Sequence, residues 1–254
     1  MDRALYTRSF NPDNVPAWRC PLCEEGHLTL AKENFAKDQT VVSRLEQQED
    51  FSEFDWIRYR FACMFYCSNG KCKEPISCTG VGRVDTFRWY DQYGDDHEEH
   101  QDNFDPKYFE PPLKLMDLPE KCPEEVSEHL ESSFAMFFSN PAAAMNSARI
   151  ALEALMDHFR VPRKDVNGER LSLHARVNKL PQQYAPLRKN FLAVKWLGNA
   201  GSHKGQKPES QDVVELYDIF EHALGKMFDE KDQKIAQLVV RINNDQGMQR
   251  RPAP

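Results

Sequence analysis

The chain has 254 residues, with 33 Lys plus Arg against 40 Asp plus Glu, a formal charge of −7 at pH 7, 40% hydrophobic and 29% charged residues. Such a length buries a substantial core and suits two modest domains, and no apolar run approaches the roughly 20 residues that a membrane-spanning helix needs. The negative balance argues against broad, non-specific affinity for nucleic acid.

In chain order, MDRALYTRSFNPDN carries neither an apolar core region nor a small-residue cleavage site, so a cytoplasmic protein is expected. Seven cysteines in such a chain read as metal ligands and buried thiols before disulfides. WRCPLCEEGHLTL holds Cys20 and Cys23, and FYCSNGKCKE holds Cys67 and Cys72. A Cys-x-x-Cys turn presents two sulfurs to one side, and two such turns complete a tetrahedral, closed zinc site. A closed four-thiolate site has no open coordination position, so its role is structural. Asn69, Gly70 and Gly26 are expected to supply left-handed backbone at the turns. The second pair is spaced more widely than the first, and Cys63, Cys78 and His27 stay open as rival ligands. HLTL, RYRFACMFY and GVGRVDTFRWY read as strands around the turns, a zinc ribbon. The stretch AKENFAKDQTVVSRLEQQEDFSEFDW reads as a charged insertion without periodicity, and DQYGDDHEEHQD as a solvated acidic loop.

Residues 104–123 hold five prolines, and 104–122 read as a linker packed against both domains. Helices follow. Pro123 suits the first turn of one with Val126, Leu130, Phe134 and Phe137 on a stripe. Asn140 and Pro141 cap and open another, with Ala144, Ala148, Ala151, Leu155 and Phe159 inward. LSLHARVNKL is a short helix, and PLRKNFLAVKWLGNAG repeats Leu187, Phe191 and Val194 at helical spacing. A long last helix, capped by Asp212, places Val213, Leu216, Phe220, Leu224, Met227, Ile235, Leu238 and Ile242 on its apolar face. Trp196 is expected in the core, and His158, His174 and His222 at the surface or half-buried. The fold class expected is α+β, mainly α: a zinc-ribbon β domain (1–103), the linker (104–122) and a helical bundle (123–254).

Charge is uneven along the chain. From Arg160 to Lys207 eleven Lys or Arg face two acids, Asp165 and Glu169, a window of +9 in an otherwise acidic protein. Only folding decides whether these cations share a face or scatter as solvated charges.

The two cysteine pairs, the stretch FEPPLKLMDLPEKCPEEVSEHLESSFAMFFSNPAAAMNSARIALEALMD, and the segments LSLHARV and FLAVKWLGNAGSH together resemble the prokaryotic domain-of-unknown-function family 4145, over most of the chain. That family is similar to the HEPN superfamily, helical bundles of prokaryotic toxins and defence systems, many of which cut RNA without a metal and pair across a homodimer. In those nucleases an Arg precedes a His by four to six residues, often as Arg-Asn. The resemblance places the Asn at Asn199 and the His at His203, while the Arg position falls on Gly198. His203 would then act as general acid or base, with Asn199 and Lys195 beside it, and Arg149, Lys195, Lys204 and Arg188 would bind phosphate. Arg149 and Glu153, four apart, can pair along a helix.

Three readings follow. The leading one is a zinc-ribbon and HEPN-like module that docks nucleic acid or a nucleic-acid-processing partner in bacterial defence or restriction. The second is a metal-independent endoribonuclease. The third is a protein-interaction scaffold, in which Asn199 and His203 only close a helix end.

Overall fold

The computed structural model describes residues 2–200, 207–228 and 231–244, and in them a five-stranded antiparallel sheet precedes six of seven helices, an α+β arrangement. The sheet contains β1 (Leu28–Leu30), β2 (Ala36–Gln39), β3 (Arg58–Cys67), β4 (Pro75–Tyr90) and β5 (Asp96–Glu110). β3 pairs with β4 and β4 with β5; β1 and β2 share the other edge of β3, opposite residues 65–67 and 59–62.

Strand β3 alternates with the period of two that a half-buried strand requires. Phe61, Cys63, Phe65 and Cys67 point into the core, and Arg58, Arg60, Ala62 and Tyr66 point out. Phe10, Trp18, Phe104 and Phe109 close over the inner face, Phe10 and Trp18 edge-to-face at 5.5 Å and Trp18 and Phe109 at 5.3 Å. The amide of Phe10 donates to the Phe104 carbonyl at 2.9 Å, which brings the N-terminal segment alongside β5.

Three stretches differ from their sequence expectation. The charged insertion contains β2 and the short helix α1 (Val41–Glu46), whose cap is Thr40 Oγ1 accepting from the Ser43 amide at 3.2 Å. The acidic run read as a loop is the turn and first half of β5: Trp89 lies opposite His97 and stacks on it at 4.4 Å, and Arg88 bonds Glu98 at 2.8 Å. Cross-strand partners thus hold acids that looked solvated when only sequence neighbours were counted. Strand β5 then continues through Phe104–Glu110, so the first seven residues of the expected linker belong to the sheet. Pro106 is tolerated there because the register shifts between Thr79 and Gly80, opposite it.

The helices are α2 (Glu124–Met136), α3 (Pro141–His158), α4 (Leu173–Asn178), α5 (Arg188–Ala200), α6 (Ser210–Phe228) and α7 (Lys231–Asn244). Asn140 caps α3 as expected, accepting from the Ala143 amide at 3.1 Å. Pro123 is the cap of α2 and stands just outside its first turn. Asp212 lies inside the first turn of α6 and reaches back to the Glu209 amide at 2.7 Å. Helix α3 is central, packed against α2, α5 and α6, and its Ala144, Ala148 and Ala151 are fully buried. Val126, Leu130 and Phe134 from α2, Phe137 at its C-terminal cap, and Val213, Leu216, Phe220 and Leu224 from α6 complete this core. Inside it the Tyr217 hydroxyl and Ser133 Oγ lie 2.7 Å apart, and Ser133 also reaches the Ala144 carbonyl at 2.7 Å. Ile235, Leu238 and Ile242, expected on a buried face, are exposed on α7.

Sheet and helices share one continuous core. Leu113, Leu115 and Met116 of the connecting segment are at most 1% exposed, and Phe109 of β5 contacts Phe138 at 4.9 Å. Buried Arg3 donates to the Leu115 carbonyl at 2.6 Å and pairs with Asp218 and Glu221 of α6. Among the described residues no helix is long and apolar enough to cross a membrane.

Candidate functional site

Cys20, Cys23, Cys67 and Cys72 converge at one end of the sheet, with all four sulfurs within 4.8 Å of one another. Cys23 and Cys67 Sγ are 3.6 Å apart, and Cys20 and Cys72 Sγ 3.9 Å. Four thiolates at about 2.3 Å around a tetrahedral ion would be spaced by about 3.8 Å, whereas a disulfide would bring two of them to about 2.05 Å. The donor set fits a four-coordinate metal ion.

The same turn closes both knuckles. The Glu24 amide donates to the Cys20 carbonyl and the Lys73 amide to the Asn69 carbonyl, each at 3.0 Å, with φ of 57° at Glu24 and 53° at Lys73. The left-handed positions are therefore Glu24 and Lys73, not Asn69, Gly70 or Gly26: each follows the second cysteine of its pair and reverses the chain there. This also accounts for the wider spacing of the second pair, since the turn begins at Asn69 and Cys67 stands two residues ahead of it. Gly26 is needed for space. A Cβ there would sit 2.4 Å from Cys67 Sγ and 2.9 Å from the Asn69 amide nitrogen.

Backbone and side-chain donors surround the sulfurs. The Gly26 amide donates to Cys23 at 3.5 Å, the Asn69 amide to Cys67 at 3.4 Å and Asn69 Nδ2 to Cys23 at 3.9 Å. The amides of Gly26 and Glu25 lower the Cys23 thiol to about 6, while loss of solvent pushes Cys67 up to about 12. Cys63 and Cys78 are not part of the cluster. They face each other across β3 and β4 on the buried side of the sheet, where burial raises the Cys78 thiol. His27 is also apart; its amide donates to Ser68 Oγ at 2.9 Å, which ties the two knuckles together.

A second site lies in the helical half. Residues of α2, α3, α4, α5 and the loop before α4 line a groove of about 890 Å³. Arg149, Lys195 and Asn199, which the sequence singled out, all face it. Arg149 pairs with Glu153 at 2.9 Å, the expected i,i+4 contact. Lys195 Nζ sits 3.2 Å from the centre of the Trp196 ring, and burial together with the charge of Arg149 holds its ammonium below the ordinary lysine value. Asp157 is shared by Arg163 and buried Arg176, both at 2.5 Å. Arg170 and Lys195 have no carboxylate partner among the described residues.

Gly198, where the resemblance to HEPN nucleases expected an arginine, is a point of close helix contact. A Cβ at this position would lie 2.6 Å from Arg149 Cβ and 3.1 Å from the Met145 carbonyl oxygen. Helix α5 therefore touches α3 where the arginine would stand, and Arg149 of the facing helix brings a guanidinium to that region instead. Arg188 is not in the groove; its Nη2 donates to the Leu180 carbonyl at 2.5 Å. His203 and Lys204 lie outside the described residues. Trp196, expected in the core, is 58% exposed, because the buried stripe of α5 runs through Phe191, Val194 and Gly198. His129 and Arg170 also line the groove. Neither stands near the motif in sequence, and only the packing of α2 and of the α3–α4 loop against α3 and α5 brings them there.

Residues 8–109 match the family model described as Domain of unknown function (DUF8608), and residues 131–245 match that described as Domain of unknown function (DUF4145). The likeness expected over most of the chain is thus divided between two families, and the cysteine-bearing half falls to the first. No curated protein and no solved structure matches the chain.

Proposed function

Taking residues 131–245 as a DUF4145 domain, we propose that the protein is a nucleic-acid-docking module of HEPN-like type, its sheet closed by a structural zinc ion. Cys20, Cys23, Cys67 and Cys72 would hold the zinc, whose part is to lock the two knuckles and with them the end of the sheet. The observation that carries the docking reading is the convergence of Arg149, Lys195 and Asn199 on one groove, beside Arg170. Guanidinium and ammonium groups with an amide suit a sugar-phosphate backbone. Glu125, Glu128, Glu153 and Asp157 line the same groove, so a bound phosphate would compete with Glu153 for Arg149 and meet Lys195 and Arg170 without a carboxylate partner among the described residues.

Fluorescence anisotropy with a labelled single-stranded RNA tests this. Binding that weakens with salt, and about tenfold or more in Arg149→Ala and Lys195→Ala, is the expected result. Salt-independent retention, or none, would instead favour a protein partner. The second reading, cleavage of RNA, is favoured by the Gly198 contact, which sets Arg149 against the helix that carries Asn199. Incubation with an RNA pool in EDTA, wild type beside His203→Ala, separates the two: products that disappear in the variant establish a nuclease.

A further inference from the structure

The outer face of the sheet holds a second groove, of about 790 Å³, that neither the metal cluster nor the helical groove uses. Its floor is formed by Arg58 and Arg60 of β3 and by Val81 and Arg83 of β4. Arg58 lies directly opposite Arg83 in the ladder, and Arg60 opposite Val81. Residues two apart on a strand share a face, so three guanidinium stems stand together. Like charges in this arrangement destabilise a sheet unless something neutralises them.

Neutralisation is incomplete within the chain. Arg83 bonds Asp105 at 2.5 Å, Asp85 at 2.9 Å and Ser9 at 3.2 Å. Arg58 bonds only the carbonyls of Asp55 and Ile57, the latter at 2.9 Å, and Arg60 only that of Tyr59, at 3.4 Å. Neither has a carboxylate partner among the described residues, although Asp38 of β2 lies opposite Arg60 in register. In a protein of net charge −7, two arginines left without carboxylates in a concave site are an anion receptor. Guanidinium geometry favours phosphate, which it can engage through two parallel N–H bonds.

The wall of the groove narrows the ligand further. Trp56 and Val42 line it with partly exposed apolar surface, and Glu46 supplies a carboxylate that has no partner among the described residues. The wall is braced. Buried Ser43 Oγ donates to the Trp56 carbonyl at 3.2 Å and accepts from the Arg58 amide at 3.0 Å, tying α1 to the start of β3. A ring can rest on Trp56, sugar hydroxyls can donate to Glu46, and a phosphate can sit on Arg58 and Arg60.

We propose that this groove binds a nucleoside monophosphate, independently of whatever occupies the helical groove. Calorimetric titration of the metal-loaded full chain with adenosine 5′-monophosphate, and separately with inorganic phosphate, tests it. The nucleotide is expected to bind more tightly than phosphate. Arg58→Ala/Arg60→Ala is expected to weaken nucleotide binding at least tenfold with metal content and far-UV circular dichroism unchanged. Glu46→Gln should weaken the nucleotide but not phosphate, and Arg149→Ala should alter neither. The proposal is overturned by absence of nucleotide binding to the wild type, or by an unchanged affinity in the double variant. Phosphate binding as tight as the nucleotide, or loss of nucleotide binding in Arg149→Ala, overturns it as well. RNA binding that survives Arg58→Ala/Arg60→Ala leaves the reading of the helical groove standing whichever way this test falls.

Discussion

Gly198→Ala tests the close contact between α3 and α5, with Gly225→Ala as its counterpart. In an open helical position, replacing Gly by Ala stabilises by up to about 1 kcal/mol. Gly225, within α6, has nothing within 4 Å of the position a Cβ would take, so Gly225→Ala is expected to stabilise by about 0.5–1 kcal/mol. At Gly198 the same methyl would meet Arg149 Cβ at 2.6 Å, Met145 O at 3.1 Å and Arg149 Cγ at 3.3 Å. Two of these atoms belong to the root of a side chain and to a backbone carbonyl, so relief requires moving one helix by several tenths of an ångström. Overpacking of this kind costs about 1–3 kcal/mol, which outweighs the propensity gain. The expected net effect is a loss of about 1–2 kcal/mol, or about 2–8 °C in Tm for a domain of this size. Urea and thermal unfolding of metal-loaded protein, followed by circular dichroism, measure both variants. A Gly198→Ala protein as stable as Gly225→Ala would refute the argument that helix contact excludes an arginine here.

At the metal cluster, Cys67→Ser is expected to lose bound metal on elemental analysis, whereas Cys78→Ser retains it; the reverse would move the site. Gly26→Ala should weaken metal binding at least tenfold in a chelator competition, because its Cβ displaces Cys67 Sγ by far more than the about 0.2 Å a metal–ligand distance tolerates. Asp157→Asn should destabilise by about 1–3 kcal/mol, since it leaves buried Arg176 without the carboxylate it donates to. The bond from Arg163, reinforced by Arg176, holds the Asp157 carboxyl below the ordinary carboxylate value. Its stabilisation is therefore full above the unfolded pKa of about 3.9 and is lost as pH falls through the lower folded value. Acid unfolding of the wild type should accordingly show a steeper loss than that of Asp157→Asn, and parallel curves would contradict the assignment.

The local parts of the structure were legible in the sequence because their determinants are close along the chain. Two cysteine pairs on turn residues announced the four-sulfur cluster, Asn140 and Pro141 announced the start of α3, and Arg149 with Glu153 announced an ion pair one helical turn apart. The parts that were misread depend on partners distant in sequence. The acidic run became a strand because β4 pairs with it, and Trp196 turned outward because Phe191, Val194 and Gly198 took the inner face of α5. Cys63 and Cys78 resembled ligands by proximity in the chain, yet the alternation of β3 and β4 turns both into the sheet core, away from the knuckles. The departure at Gly198 looked like the loss of a functional arginine; it is the point where two helices touch. Composition, turn chemistry and periodicity act over a few residues and so determined the four-sulfur cluster, the α+β class and most helix faces. Which cations share a groove was decided only by the packing of α3 against α2 and α5, because burial and side-chain direction are properties of the assembled core.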